Sequence, residues 1–451
     1  MRLADAFVLV PEFVPGQYEQ FQNHLTPEWI ADALAATGTA TIRRRRLPAE
    51  QTIQLVIGMA MMRNQSVERV AAMLNIALPA KSGNLPARSG LTQARQRLGA
   101  EPLEHLFSRS AEVWGGESAS QHRWRCLAVY AIDGSTIRVG DSPENWQAFG
   151  GSTGNGKRAG SAYPTVRAVG LMAVRSHVLS ALRFGAYDVG EVTLARELWP
   201  ELPPNSLVLV DRGLLVAADL HKLASDGTNR HWMSRAKTTT RLRTIERYAK
   251  GDELVEIVLG DSTRRANKDL PAQWLVRAIT YQRKGFRRST LLTSLTDPKK
   301  YPRDEVVELY HERWEIELGY DEVKTHMLAR EEAIRSRTPP TVRQELWGIA
   351  LAYNLVRLEM ERAAVAAGVE PTRISFVNAL ALICNAWLIW SAMPVAPGRI
   401  PSDVRDLRDR LRLLLLPQRR PERAYPRVVK IKMSNYDKKW VKRPRRDGGQ
   451  R

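Results

Sequence analysis

Residues 126–136 read CLAVYAIDGST, an unbroken apolar run that closes on Asp133. Such a run, with no polar alternation, predicts a strand buried on both faces of a sheet. A second run of the same kind, residues 206–211 (SLVLVD), closes on Asp211. Thr165 to Val174 and His177 to Arg183 read as two more strands, joined at Arg175 and Ser176 as a hairpin. Glu191 to Trp199 and Leu214 to Ala224 read as helices, and HWMSRAK (231–237) as a fifth strand. Each aspartate is followed by a residue that favours a tight turn, Gly134 directly and Gly213 two residues on.

Three strands, helix, strand, helix, strand predicts an α/β sheet of ribonuclease-H-like type. Outward from it the texture changes. Residues 1–120 read as a helical N-terminal, DNA-binding domain, with Thr26, Pro48, Ser66, and Ser89 or Thr92 as helix starts. Residues 121–240 form the first part of the core, 241–288 a basic β-rich insertion, and 289–366 the second part of the core. Pro302 opens a long helix that should end before Pro339 and Pro340. Residues 367–416 read as C-terminal helices, and 417–451 as a Pro-rich basic tail without fixed structure.

Composition narrows the partners. The chain has 451 residues, 68 Lys and Arg against 48 Asp and Glu, and a formal charge of +20. A chain this basic meets a polyanion, with nucleic acid ahead of an anionic membrane. Arg43 to Arg46, with Arg95 and Arg97 on a basic helix, are expected to face DNA. Cys126 and Cys384 lie in apolar surroundings without zinc-type spacing, so both are expected to be buried thiols in a reducing cytoplasm. Asp5 and Pro11 interrupt the apolar N-terminus, which argues against a cleaved signal. Phe376 to Met393 is read as a buried core helix, not a membrane span, because Asn378 and Asn385 lie inside it.

The chemistry centres on residues 310–324, YHERWEIELGYDEVK. On a helix, Tyr310, Arg313, Glu317 and Lys324 fall within about 60° of one another. Glu312, Glu315 and Glu322 point elsewhere, and as solvated acids they would tolerate amides; Asp321 points near the stripe. One carboxylate with a phenol, a guanidinium and an ammonium suits a metal and a phosphodiester, although the same spacing also describes a solvated ion-pair face. Two strand-end aspartates plus Glu317 give three carboxylates that could converge. Crowded carboxylates ionise together only beside cations, which is the case for metal binding. Gly151 to Lys157, GSTGNGK, resembles a nucleotide-binding loop, but Arg158 stands where a hydroxyl is required and no strand precedes it. It is read as a basic glycine-rich loop.

These residues resemble bacterial insertion-sequence transposases of the DDE class, in the insertion-sequence-four group. The family's third-acid signature is met by Tyr310, Arg313, Glu317 and Lys324, its first acid by Asp133 in IDGST, and its second by Asp211 in VDRG. The similarity also takes in RRRRLPAE, LTQARQRLG and LTDPKKYPRDEVVELYHERWEIE. Leu214 departs from the aromatic that often follows the second acid's DRG. The resemblance implies that Asp133, Asp211 and Glu317 bind Mg²⁺ or Mn²⁺. It implies that Tyr310, Arg313 and Lys324 contact phosphates near the element end. It also implies cut-and-paste transposition through a hairpin, by a homodimer holding two terminal inverted repeats of double-stranded DNA before joining them to target DNA. Trp314 is a candidate to stack on a displaced base or to pack in the core. Trp274, the one tryptophan of the insertion, is expected in the sheet core. A silent DNA-binding descendant of a transposase and a metal-dependent nuclease are the alternatives.

Overall fold

A computed structural model describes residues 25–39, 47–76, 86–152, 161–283, 286–328, 333–392 and 400–417. Arg43 to Arg46, residues 153–158 of the glycine-rich loop and the basic tail beyond 417 lie outside these residues. The helices are α1 Pro27–Ala36, α2 Ala49–Met61, α3 Val67–Met73, α4 Arg88–Leu98, α5 Glu101–Gln121, α6 Pro143–Phe149, α7 Glu191–Arg196 and α8 Ala217–Ser225. They continue as α9 Asp261–Ala266, α10 Arg303–His311, α11 Trp314–Asp321, α12 Pro339–Ala367, α13 Phe376–Ala392 and α14 Ile400–Leu411. The strands are β1 Ala128–Arg138, β2 Thr165–Ala173, β3 Leu179–Gly185, β4 Ser206–Val210, β5 Arg230–Arg235, β6 Leu242–Ala249, β7 Asp252–Ile257, β8 Leu275–Tyr281 and β9 Ser289–Thr293.

All nine strands join one mixed sheet in the order β3-β2-β1-β4-β5-β9-β8-β7-β6. Strands β1, β4 and β5 are parallel; β2 and β3 form the expected antiparallel hairpin. The basic β segment after 241 does not stand apart from the sheet. Its strands β6 to β8 continue it through β9, which pairs antiparallel with β5. Trp274 is buried beside Trp232, as expected of a sheet-core residue.

Helix α12 is the hub of the helical layer. It is buried along most of its length and packs on α2, α5, α13 and α14. Polar groups so placed must find partners. Glu345 takes Arg63, Asn354 clamps both backbone groups of Leu179, Glu361 takes Ser118 and His122, and Glu359 takes Arg408.

Several expectations change here. Strand β1 does not stop at Asp133; it runs on to Arg138, still paired with β2, so Gly134 lies in a strand rather than a turn. A Cβ on Gly134 would sit 2.6 Å from Glu191 Cδ, and that close approach is what the glycine permits. Arg95 is buried, not turned to DNA: its guanidinium donates to Gln344 at 2.9 Å and Ser336 at 2.9 Å. Helix α4 begins at Arg88, before Ser89 and Thr92. Cys126 is exposed, in a turn before β1 where Arg125 and Cys126 both adopt left-handed backbone. Cys384 is partly buried, and desolvation pushes its thiol up to about 12. Helix α13 buries only one face, with Val377 and Ile389 exposed. Among the described residues no helix is long and apolar enough to cross a membrane.

Candidate active site

The parallel register decides the first half of the site. Ile132 pairs with Val210, so Asp133 and Asp211 are the next step on neighbouring strands and point to the same face. Val210 pairs with Ser234, which puts Arg235 one step further along the same row. Sequence reading missed Arg235, although HWMSR, like the two runs before it, is a strand that closes on a charge. Asp211 Oδ1 accepts from the backbone N–H of Gly213 at 2.6 Å, an Asx-type turn that redirects the chain after β4. A Cβ on Gly213 would lie 2.9 Å from that oxygen.

The expected long helix is broken. At Glu312 and Arg313 the bonds run from i to i+3, including Arg313 N–H to Tyr310 O at 3.2 Å, so one turn is overwound. After α11, Glu322–Met327 is a π-helical turn, closed by Leu328 N–H to Val323 O at 2.9 Å, and so underwound. The two irregularities are of opposite sense. Arg313 donates to Glu317 at 2.6 Å and stands 3.5 Å from Asp133. Lys324 Nζ donates to Ser135 at 3.2 Å, two residues beyond Asp133.

Tyr310 reaches the site from below. Its ring is buried, and its hydroxyl donates to the carbonyl of Val210 at 3.2 Å, immediately before Asp211. The sequence reading expects a phosphate contact there. Trp314, by contrast, is 42% exposed beside Arg313. Glu312, Glu315 and Glu322 are not the solvated acids expected: Arg175 holds Glu312 by two bonds of 2.9 Å, and His177 takes the other two. Asp321 is exposed and accepts from Thr325.

Burial pushes the Asp133 carboxyl up to about 6, against the Gly134 N–H and Arg313, and Asp211 and Glu317 add to the rise. Asp133 therefore feels both other acids, and one guanidinium lies between it and Glu317. Among the described residues no three His, Cys, Asp or Glu side chains close into a metal-binding group. Arg313 supplies the positive charge between Asp133 and Glu317.

Comparison with known proteins gives the family. Residues 124–355 match the family described as "Transposase DDE domain", and residues 15–108 match "Insertion element 4 transposase N-terminal". The chain belongs to the insertion element 4 family of DDE transposases. It is 38% identical over 431 residues to the transposase InsG for insertion sequence element IS4 of Escherichia coli K12, covering 93% of this chain and 95% of that one. It is 37% identical over 224 residues to the protein InsZ of the same strain, covering 49% of this chain and 73% of that one. The cryo-EM structure of the piggyBac transposase synaptic complex with hairpin DNA aligns with 90% of this chain and 87% of that chain, at a TM-score of 0.41 and 10% identity. This protein is a DNA transposase, a DNA-cleaving enzyme. DDE transposases generally use divalent metal.

Proposed function

We propose that this transposase moves an insertion sequence by cut-and-paste, with Asp133, Asp211 and Glu317 as its catalytic acids on a ribonuclease-H-like core. The observation that carries the reading is the meeting of Asp133 and Glu317 on Arg313, beside the strand that ends on Asp211. The order β3-β2-β1-β4-β5, with β1, β4 and β5 parallel, supports the core assignment. In this reading residues 1–120 grip DNA, 121–240 and 289–366 build the core, 241–288 is the insertion, and the C-terminal helices and tail follow.

Three carboxylates are the kind of oxygen donors that a hard divalent cation, Mg²⁺ or Mn²⁺, takes, and burial already raises one of them. Asp133, Asp211 and Glu317 would hold such a cation, which would supply the charge that polarises the scissile phosphodiester and stabilises the leaving oxygen. The chain's own residues do the rest. Arg313 and Lys324 orient phosphate oxygens, the first by its fork and the second as a point charge. Arg235 adds a cation in the same row. Tyr310 fixes the end of β4, and thereby Asp211, through the Val210 carbonyl. Trp314 is exposed enough to stack on a base displaced during hairpin formation. The working species is a homodimer holding two terminal inverted repeats, in the bacterial cytoplasm, where the DNA lies.

An assay on DNA carrying one element end tests the proposal. Hairpin ends and joined products are expected with Mg²⁺; simple nicks alone would make the enzyme a nuclease.

A further inference from the structure

Helix α11 is eight residues long and lies between an overwound and an underwound turn. Helical backbone continues through both junctions, but each departs from α-helical winding, so the rotation of α11 is not the one a continuous α-helix would give it. Yet that rotation decides where Glu317 points. On an ordinary helix Glu315 and Glu322 lie about 150° round from Glu317, and both end on one buried side chain. His177 Nε2 is 2.9 Å from Glu315, and its Nδ1 is 3.3 Å from Glu322. Both ring nitrogens are thus engaged by carboxylates of this one segment.

The histidine is itself fixed. It sits in the turn between β2 and β3 with a left-handed φ of 65° and is 2% exposed. Ser176 before it shares a hydrogen bond of 2.5 Å with Ser118 and, through its carbonyl, accepts from Arg357 at 2.9 Å. Glu322 also accepts from Tyr353 at 2.8 Å, so α12 closes the group from behind. Burial pushes the Glu322 carboxyl up, but Arg357 and His177 together hold it below its ordinary range.

We propose that His177 is a positioning residue for the third acid: clamped between Glu315 and Glu322, it sets the rotation of α11 and so aims Glu317 and Arg313 at Asp133. The inference rests on Glu317 being that acid. A buried ionic group adds little net stability compared with apolar packing, but it does fix geometry. A small misplacement of a reacting group costs about hundredfold in rate.

His177→Asn in the full-length protein is the test, because Asn tolerates left-handed backbone. End-DNA affinity is expected to stay within about twofold, while single-turnover cleavage at saturating Mg²⁺ falls by about tenfold to hundredfold. His177→Gln, whose longer side chain carries its amide back toward the carboxylates that the shorter Asn does not reach, is expected to restore part of the rate. Cleavage by DNA-bound His177→Asn at the wild-type rate overturns the proposal, whatever its melting temperature. If that variant does not fold, Glu315→Gln decides: a reduced rate supports the clamp, and a full rate removes it. Glu317→Gln runs alongside; an active control would remove the site reading and the clamp together, whereas a dead control with a full-rate His177→Asn removes the clamp alone.

Discussion

The hydroxyl of Tyr320 donates to the backbone carbonyl of Asp133 at 2.8 Å. The helix that carries Glu317 is thus bonded to the strand that carries the first aspartate. Gly170, opposite Asp133 on β2, makes the approach possible: a Cβ there would lie 2.9 Å from the same hydroxyl. Tyr320→Phe is expected to cost about 1 kcal/mol of stability. Cleavage should fall by about tenfold or more, since the supporting shell loosens. Thermal melting and single-turnover kinetics on the same preparation check both.

Glu317→Gln should abolish cleavage and strand joining while leaving end-DNA binding intact, because the amide removes charge rather than bulk. Asp321→Asn is the matched control. Asp321 is exposed, so its amide should cleave normally. Glu315 and Glu322 cannot serve as controls, since both are paired and largely buried. A normal rate from Glu317→Gln would show that the active site lies elsewhere.

Asp133 carries its own pH signature. Its folded carboxyl is raised to about 6 from an ordinary 3.8, so between those values the native state binds more protons than the unfolded one. Stability from this group is present at acid pH and is lost as pH rises through about 6. Asp133→Asn should therefore raise stability at neutral pH, by about 1–3 kcal/mol, with the gain vanishing below the unfolded value. Melting curves from pH 4 to 8 would show the gap opening or its absence. Cleavage by the native enzyme should decline on the acid side as Asp133 protonates, and higher Mg²⁺ should move that limb to lower pH.

Arg95→Ala should behave as a core lesion. It strands the side chains of Gln344 and Ser336 in a buried junction between α4 and the start of α12. A loss of about 2–4 kcal/mol is expected. The slope of DNA affinity against salt should not change for the folded fraction, because no phosphate contact is removed. A shallower slope would return Arg95 to the DNA interface.

The sequence by itself determined the strands, because an apolar run closing on Asp133 or Asp211 has few other uses in a basic chain of this length. It also singled out Tyr310, Arg313, Glu317 and Lys324, since that motif is a matter of spacing along the chain. The family followed from those residues. What spacing could not carry was pairing between distant elements. That β1 passes Asp133 depends on β2 continuing beside it after β4 stops. That Arg235 joins the row depends on register with β4. The burial of Arg95, Glu315 and Glu322 follows from partners far along the chain: Gln344, His177 and Tyr353. A charged residue in sequence reads as solvated until a partner from another element desolvates and pairs it, and only the tertiary structure supplies that partner. The aim of Glu317 belongs to the same class, because it is fixed by groups on strands, turns and α12 rather than by its own helix.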